Sequence, residues 1–424
     1  RELRAFLTAL AVALLHLKRS FSFDPSSCIE YSARTELKSW REVSDCCHWE
    51  GIGCDRVAGR VTALNLSGQD IQINGFHPAL FRLTSLKYLN LDSAAPPFRP
   101  ASGFETLTQL QVLRLSGCQL SGAIPPSLST LHSLKKIDLS ENWLTGSVPD
   151  MFSNFPLLET LVLDGNSFEN GTLPLGITQL KNLKVLSLYN MNLFGVIPYS
   201  IGNLSSLREL DLNSNSFIGS LPWSLNNLTY LTVLSCDGCG LSGPVPTLTC
   251  LTRLKYISLA NNNLTGPVPL SHEGTIYPNL TEVNLSNNSL SGTVRATLFT
   301  QPALKKLFLQ MNNFSGPIGE FHNPSATLTE VDLSSNHLSG LVPTSFSQLT
   351  ASYNSRLSAT ADDLAGFNAS SINGSISVLA LKSCNLTRMP RALRYLPELK
   401  VLELSYNRIG GRIPDWGGVR RMVV

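Results

Sequence analysis

The cysteines near the start of the chain are the side chains whose spacing most directly indicates chemistry. Cys46, Cys47 and Cys54 lie in the segment DCCHWEGIGCD, and Cys28 precedes them. Four cysteines allow three connectivities, and the adjacent Cys46 and Cys47 are poor partners for each other. We therefore expect Cys47–Cys54 and Cys28–Cys46 disulfides, each contributing about 2–4 kcal/mol. A zinc site is the weaker alternative, because the spacing matches no usual finger and His48 is the only histidine nearby.

Beyond these cysteines the sequence contains no recognisable catalytic or cofactor-binding constellation. The seven histidines are scattered without metal-ligand spacing, and no GxSxG or phosphate-cradling loop stands out. Asp362 and Asp363 are adjacent carboxylates in a segment without the regular leucine pattern, where a solvated loop is the favoured interpretation. We therefore expect neither enzymatic activity nor a cofactor. A net charge of +3, with no long basic run, also argues against nucleic-acid binding.

The chain is built from one repeated unit, represented by LHSLKKIDLSENWLTGSVP at Leu131–Pro149, which recurs at intervals of 23 to 26 residues. Ile137 and Leu139 are two residues apart, as the inward residues of a short strand are, so we expect Asp138 to point into solvent. Asn142 follows at the turn, where its amide can satisfy backbone groups of a buried turn. The unit thus predicts a short strand followed by a turn and a return segment.

A single unit cannot bury its own apolar edge, so the units must stack into a solenoid. Cys118, Cys239 and Cys384 take the Asn turn position and Cys236 takes a Leu position, which indicates buried structural thiols. Cys250 has no clear partner. The expected organisation is a signal-like or cap-helix segment at 1–23, a cysteine-containing cap at 24–60, repeats at 61–348, a degenerate repeat at 349–375, further repeats at 376–416 and a tail at 417–424.

The apolar run AFLTALAVALLHL near the N-terminus has two interpretations. Its length and its flanking Arg4 and Lys18 fit a signal peptide, and it is short for a transmembrane helix. In the favoured alternative it forms a short helix that covers the first repeat. The apolar side of that helix would consist of Ala13, Leu14, Leu15, Leu17 and Phe21. Later segments contain no apolar run near 20 residues, so we expect no membrane span within this chain.

Asn-X-Ser/Thr triplets are abundant and, with the cysteine pattern, indicate an oxidising extracellular compartment. The repeat composition alone also generates such triplets. The candidate glycosylation sites are Asn65, Asn170, Asn203, Asn227, Asn263, Asn279, Asn284, Asn287, Asn313, Asn368, Asn373 and Asn385.

These motifs resemble the plant-type extracellular leucine-rich repeats, whose consensus is LxxLxxLxLSxNxLxGxIP. DCCHWEGIGCD followed by GRVTALNLS is similar to the N-terminal cap of plant receptor-like proteins and receptor kinases, and LLHLKRSF is similar to their cap helix. Ser383–Trp416 is similar to a run inside the disease-resistance class of receptor-like proteins. That family usually has a cysteine before the cap helix, which this sequence lacks, so the pairing of Cys28 with Cys46 stays open.

The resemblance implies a leucine-rich-repeat solenoid of the α/β class, a curved right-handed superhelix. A parallel β-sheet would line its concave face and irregular or 3-10 turns its convex face. The resemblance also implies an ectodomain at the cell surface that binds a peptide or protein ligand and signals, in defence or development, through a partner receptor kinase. The alternative is a secreted leucine-rich-repeat inhibitor of a cell-wall-degrading enzyme, although such inhibitors have fewer repeats.

The ligand face is predicted from the outward positions of the strands, which are free to vary and form columns across the concave sheet. Mixed charge with isolated aromatic residues suits a peptide or protein better than a lipid. The candidate ligand-binding residues are Arg114, Lys136, Asp138, Val162, Tyr189, Glu209, Asp211, Tyr256, Lys306, Phe308, Glu330 and Asp332.

Overall fold

The structure is a computed structural model of the 424-residue chain. It describes residues 2–23, 37–42, 44–68, 71–73, 75–94, 103–169, 171–270, 274–321, 325, 327–328, 330–339, 378–380, 382, 401–406, 408–410 and 421–423. Two compact units divide the chain. The first contains Arg1–Phe194 and Asn203–Leu207, and the second contains Gly195–Gly202 and Arg208–Val424.

An α-helix, Glu2–Arg19, covers the start of the first unit. Its side chains Leu10, Ala13, Leu14 and Leu17 are buried, and the helix packs against the 3-10 turn Leu80–Arg82. The described apolar side chains thus lie as a covering helix requires, whereas Leu15 is only partly buried.

The helix is tied to the cap by polar and strand contacts. Lys18 Nζ donates a hydrogen bond to the Leu37 carbonyl at 2.8 Å. Directly after the helix, the strand Phe21–Phe23 pairs antiparallel with Ile71–Ile73. These contacts hold the helix against the cysteine-containing cap.

The cap after the helix is held by a disulfide, a short strand and a tryptophan stack. Cys47 and Cys54 are bonded, with their Cα atoms 5.5 Å apart. The strand Ile52–Cys54 pairs antiparallel with Val61–Asn65, the first strand of the repeats. Gly51, just before it, has φ +75°, and a Cβ there would collide with the Asn65 carbonyl oxygen, so this close approach requires glycine.

The predicted pairing of Cys28 with Cys46 stays a prediction, because Cys28 lies outside the described residues. Cys46 is a free thiol with 2% exposure. Burial, followed by the nearby charge of Asp45, raises the pKa of the Cys46 thiol.

Short parallel strands in register build the main sheet of each unit, with one middle residue pointing inward. Leu113, Ile137 and Leu161 are adjacent inward residues of neighbouring strands, and all are buried. In the first unit the parallel strands are Val61–Asn65, Tyr88–Asn90, Val112–Arg114, Lys136–Asp138, Thr160–Val162 and Val185–Ser187, and Ile52–Cys54 adds an antiparallel strand next to Val61–Asn65. In the second they are Glu209–Asp211, Val233–Ser235, Tyr256–Ser258, Glu282–Asn284, Lys306–Phe308 and Glu330–Asp332.

The segments that lead from one main-sheet strand to the next contain further short strands and 3-10 turns. A second parallel sheet in the second unit contains Ser242–Pro244, Asn263–Gly266, Ser289–Gly292, Asn313–Gly316 and His337–Leu338. Further short strands are Ser121–Gly122, Trp143–Leu144, Phe194–Gly195 and Ser216–Phe217. The 3-10 turns are Cys46–His48, Leu80–Arg82, Phe104–Thr106, Pro126–Thr130, Asp150–Asn154, Ile177–Gln179, Tyr199–Asn203, Trp223–Asn227 and Ala296–Leu298. The predicted solenoid of parallel strands and 3-10 turns is thereby confirmed.

Buried asparagine amides join each repeat to its neighbours. Asn142 Nδ2 donates to the carbonyls of Leu115 at 2.7 Å and Leu139 at 2.9 Å, and its Oδ1 accepts from the Leu120 N–H at 2.8 Å. Each amide thus satisfies backbone groups of two repeats. The same type of contact is made by Asn166, Asn262, Asn288, Asn312 and Asn336.

Cysteine replaces asparagine in this ladder without leaving the neighbouring carbonyl unpaired. Cys118 Sγ lies 3.0 Å from the Leu91 carbonyl oxygen, and Cys239 Sγ lies 3.0 Å from the Leu212 carbonyl oxygen. Both cysteines and Cys236 are buried, whereas Cys250 is an exposed free thiol. Cys384 lies outside the described residues.

The C-terminal part of the second unit adds three parallel strands, Val378–Ala380, Val401–Glu403 and Arg421–Val423. The last of these corrects the expectation that 417–424 is a tail. The sequence pattern does not predict this strand, because RRMVV lacks the leucine spacing by which the other repeats are recognised. The expected degenerate repeat at 349–375 lies outside the described residues.

Candidate functional site

The strand register arranges the outward side chains of the main sheet in two columns. In the first unit, Lys136 aligns with Thr160 at the first strand position, and Asp138 aligns with Val162 at the third. In the second unit, the first-position column contains Glu209, Val233, Tyr256, Glu282, Lys306 and Glu330, and the third-position column contains Asp211, Ser235, Ser258, Asn284, Phe308 and Asp332. We call these two columns the sheet face of the unit.

The charged residues of the first unit's sheet face are largely engaged with one another. Arg114 lies 2.7 Å from Asp92 and 3.3 Å from Asp138. Asp138 is only 7% exposed and accepts a hydrogen bond from Ser140 Oγ at 2.7 Å. The expectation that Asp138 projects into solvent is therefore wrong, because the Arg114 guanidinium of the neighbouring repeat and the Ser140 hydroxyl of its own repeat cover its carboxylate.

The remaining candidates of the first unit are more accessible. Lys136 and Val162 are partly exposed at adjacent positions of the face. Tyr189 is 40% exposed, but it follows the strand Val185–Ser187 and therefore lies at the border of the columns. Its backbone N–H donates to Asp164 Oδ1 at 2.8 Å, which fixes the chain while leaving the ring accessible.

The second unit's sheet face carries an acidic cluster around Tyr256. Burial raises the pKa of Tyr256, and the charges of Asp237, Glu282 and Asp211 raise it further. Burial, and then the charge of Asp237, raises the pKa of Asp211. These shifts show that the carboxylates act on one another and on the phenol across adjacent strands. Negative charge on this face is therefore concentrated and incompletely compensated.

Asp237 belongs to this cluster although it was not among the residues predicted from the sequence. Burial raises the pKa of its carboxyl group. The carboxylate nonetheless accepts hydrogen bonds from Ser258 Oγ at 2.7 Å and from the Ala260 N–H at 2.8 Å. It lies two residues after the third-position column, so the period-two alternation, extended past the end of the strand, would have identified it.

Phe308 provides an apolar contact site on the same face. It aligns with Asn284 on one side and Asp332 on the other. Lys306 lies 3.6 Å from Glu330 across the neighbouring strands, forming an ion pair with both side chains about 40% exposed. The ring is therefore surrounded by polar and charged groups rather than by an extended apolar surface.

Gln310 places an unpaired acceptor beside this ring. Its Oε1 atom is buried and, within the described residues, has no hydrogen-bond partner. Gln310 lies two residues beyond Phe308, on the same side of the chain. A buried acceptor without a donor is costly. Gln310 was also absent from the sequence-predicted candidates.

Most of the described candidate glycosylation sites are exposed, but one lies on the sheet face. Asn284 is partly buried, and its Oδ1 accepts from Ser286 Oγ at 2.7 Å. A glycan there would cover the neighbourhood of Phe308. The exposed sites are Asn65, Asn203, Asn227, Asn263, Asn279, Asn287 and Asn313, whereas Asn170, Asn368, Asn373 and Asn385 lie outside the described residues.

Among the residues that the structure describes, the only candidate metal cluster is Asp45, Cys46 and Cys47, and the sulfur of Cys47 is bonded to Cys54. None of the described helices combines the length and apolarity that crossing a membrane requires.

Comparison with known protein families matches both the cap and the repeats. The leucine-rich-repeat N-terminal domain family matches residues 11–55. Leucine-rich-repeat families match residues 108–168, 182–204, 206–228, 253–274, 279–300, 327–349 and 398–418. The matched segments include the disulfide-bonded cap and strands of both units.

Receptor-like protein 39 of Arabidopsis thaliana is 32% identical over 449 residues, an alignment that covers 97% of this chain and 48% of that protein. This chain belongs to the family of plant receptor-like proteins with leucine-rich repeats. Receptor-like protein 50 of the same organism is 39% identical over 122 residues, covering 27% of this chain. The chain spans about half the length of Receptor-like protein 39.

Solved plant receptor ectodomains have the same fold. The LRR ectodomain of the receptor kinase GASSHO1/SCHENGEN3 from Arabidopsis thaliana, in complex with CASPARIAN STRIP INTEGRITY FACTOR 2, has a TM-score of 0.67 at 23% identity, covering 94% of this chain and 56% of that one. The Arabidopsis receptor kinase HAESA, in complex with the peptide hormone IDA and the co-receptor SERK1, has a TM-score of 0.56 at 27% identity, covering 97% of this chain and 78% of that one.

Proposed function

We propose that this chain is the extracellular ligand-recognition part of its receptor-like protein and binds a basic peptide along the sheet face of the second unit. The observation that carries the proposal is the acidic cluster around Tyr256. Along the strands from Glu209–Asp211 to Glu330–Asp332, Lys306 is the only cation in the two columns, and it is paired with Glu330. A basic ligand would complement the remaining negative charge.

Phe308 adds an aromatic contact to this electrostatic attraction. Its partly exposed ring offers an anchor of the kind that often dominates binding energy. A lipid would need a contiguous apolar pocket, whereas Phe308 is flanked by Asn284 and Asp332.

The similarity to HAESA, whose structure contains a peptide hormone and a co-receptor, supports a binding role. For this chain we propose binding without catalysis, outside the cell, in defence or developmental signalling. Signalling would then require a partner receptor kinase. The alternative, a secreted inhibitor, predicts binding to a folded cell-wall-degrading enzyme instead of an extended peptide.

Selection from a library of random linear peptides tests the proposal. The purified chain should enrich peptides rich in Lys and Arg over those rich in Asp and Glu. Phe308→Ala should weaken binding of the enriched peptides about 10-fold, the effect of losing roughly 1.4 kcal/mol. Isothermal titration calorimetry on the folded variant measures this loss.

Two further variants locate the binding surface. Trp223→Ala removes a 64% exposed ring from a 3-10 turn outside the sheet face and should leave affinity unchanged. Tyr189→Ala tests whether the first unit also contributes. Enrichment of acidic peptides would contradict the proposed ligand class. Full binding by Phe308→Ala, together with loss of binding in Trp223→Ala, would place the site elsewhere.

Binding of an enriched basic peptide should weaken as the pH falls. Burial holds the pKa values of Asp211 and Asp237 above the ordinary 3.8. Asp211 and Asp237 therefore become protonated at a higher pH than exposed carboxyl groups do. Their protonation weakens the attraction that they, together with Glu209 and Glu282, exert on a cation. The affinity for the peptide should be highest at pH values above the raised pKa values of Asp211 and Asp237, and it should decrease at pH values below them.

The double variant Asp211→Asn, Asp237→Asn is the control for this pH dependence. Asparagine retains an acceptor for the hydrogen bonds from the Asn213 and Ala260 N–H groups. The variant should bind more weakly at neutral pH and show a flatter profile, measured by fluorescence anisotropy at constant ionic strength. Affinity of the parent chain that increases on acidification would contradict the assignment.

A further inference from the structure

Two thiols meet inside a single repeat of the second unit. Cys239 takes the ladder position normally held by asparagine, and Cys236 takes the leucine position three residues earlier. Both are fully buried free thiols, and interaction with the Cys239 thiol is the largest cause that raises the pKa of Cys236. The sequence CDGC is thus a C-x-x-C pair whose side chains point to the same interior site.

The repeat geometry explains why these side chains converge. In the ordinary repeats the ladder amide folds back toward the residue three positions earlier, as Asn166 Nδ2 does toward the Leu163 carbonyl at 2.7 Å. The intervening turn contains a residue with positive φ, which in this repeat is Gly238 at +59°. When both positions carry cysteine, two buried sulfur-bearing side chains lie three residues apart on either side of this turn.

Oxidation of this pair would leave the adjacent backbone satisfied. Cys239 Sγ lies 3.0 Å from the Leu212 carbonyl oxygen, so a disulfide would remove one donor to that oxygen. Asn215 Nδ2 also donates to the Leu212 carbonyl, at 2.7 Å. The Leu212 carbonyl would therefore keep a hydrogen bond after the thiol proton is lost. The oxidised repeat would contain no additional buried polar group without a hydrogen-bond partner.

We propose that Cys236 and Cys239 form a second disulfide, within one repeat, when the chain folds in an oxidising compartment. A small-molecule disulfide of the glutathione class serves as the oxidant. One cysteine attacks it, forms a mixed disulfide and releases one thiol; the other cysteine then attacks that sulfur and releases the second. The protein loses two electrons and two protons, and one oxidant disulfide becomes two thiols.

Burial determines when this exchange takes place. Interaction with the Cys239 thiol, followed by burial, raises the pKa of the Cys236 thiol well above its ordinary value. The thiolate is the attacking form, so exchange is slow in the closed repeat. The bond forms while the repeat is open during folding and is afterwards protected from small reductants by the closed core.

Differential alkylation after refolding in glutathione buffers tests the proposal. The full chain is unfolded, refolded at an oxidising or a reducing glutathione ratio, acid-quenched and alkylated under denaturing conditions, and then examined by peptide mass spectrometry. We expect the peptide containing Cys236 and Cys239 to resist alkylation after oxidising refolding and to carry two labels after reducing refolding.

Cys118 and Cys250 are internal controls. Cys118 makes the same ladder contact as Cys239, 3.0 Å from a carbonyl oxygen, but has Leu115 three residues earlier. It should be alkylated after both treatments once the chain is denatured. Cys250 is exposed and should be alkylated even in the native chain, which confirms that the reagent is active.

Consensus substitutions separate the bridge from a general effect on folding. Cys236→Leu and Cys239→Asn each restore the residue that ordinary repeats carry, so each variant should fold and expose one alkylatable thiol in the altered repeat. Their combination should lower the difference in melting temperature between oxidised and reduced chains, leaving only the part due to Cys47–Cys54. Complete alkylation of Cys236 and Cys239 after oxidising refolding would overturn the proposal, as would a bridge from either residue to Cys250.

Discussion

Replacing Asn142 with alanine should lower the free energy of unfolding by roughly 2–6 kcal/mol, since two buried backbone groups lose their partner at about 1–3 kcal/mol each. These groups are the Leu120 N–H, bonded to Oδ1 at 2.8 Å, and the Leu115 carbonyl, bonded to Nδ2 at 2.7 Å. The Leu139 carbonyl is less affected because Asn166 also donates to it. Denaturant unfolding followed by circular dichroism measures the change.

Two other substitutions make this prediction specific to the ladder. Asn142→Cys should cost less than Asn142→Ala, because a thiol at this position can donate to the neighbouring carbonyl as Cys118 does to Leu91. Asn154→Ala removes an exposed amide and should change stability by no more than about 0.5 kcal/mol. Equal losses for Asn142→Ala and Asn154→Ala would show that the buried amide contributes little.

Much of the fold could be predicted because each repeat has the same spacing of apolar residues and the same turn position. The spacing of Ile137 and Leu139 requires a strand with one buried edge, and Asn142 supplies the polar groups that a buried turn needs. The unpredicted strand Arg421–Val423 has a different origin. Its pairing with Val401–Glu403 follows from the stacking of the preceding repeat and not from a leucine pattern of its own.

The ligand face was harder to predict. The alternation of inward and outward side chains along a strand identifies the outward residues, but it does not show which residues they contact. It placed Arg114 and Asp138 on the face, yet their mutual 3.3 Å contact depends on which strands are neighbours. It missed Asp237 and Gln310 because they follow the strands. Charge compensation and unpaired acceptors are properties of adjacent repeats together, so they emerge only when the register is known.

The aromatic contact in the cap could not be predicted from the sequence either. Trp49 lies between Cys47 and Cys54 in the sequence. In the structure it stacks on Trp40, with ring centroids 5.5 Å apart. Trp40 lies outside the cysteine segment, and only the folded cap brings the two rings together.

Replacing Trp40 with alanine should destabilise the cap by about 3–5 kcal/mol, the usual cost of removing a buried large aromatic side chain. Trp40 is 2% exposed, and its Nε1 donates to the Glu50 carbonyl at 2.9 Å. It also contacts Phe21 with ring centroids 6.4 Å apart. The substitution therefore removes contacts to Trp49 and to the segment after the N-terminal helix, and leaves the Glu50 carbonyl without this donor.

The loss should be local, because a repeat is stabilised mainly by its nearest neighbours. Hydrogen exchange should accelerate in the strand Val61–Asn65, which pairs with the cap strand Ile52–Cys54, and remain unchanged in Glu282–Asn284. Trp40→Phe keeps an aromatic ring and should lose less. Trp143→Ala, which removes a 53% exposed ring, should have little effect. Unchanged protection of Val61–Asn65 in Trp40→Ala would mean that the cap does not stabilise the first repeat, and equal acceleration in Glu282–Asn284 would show that the chain unfolds as one cooperative unit.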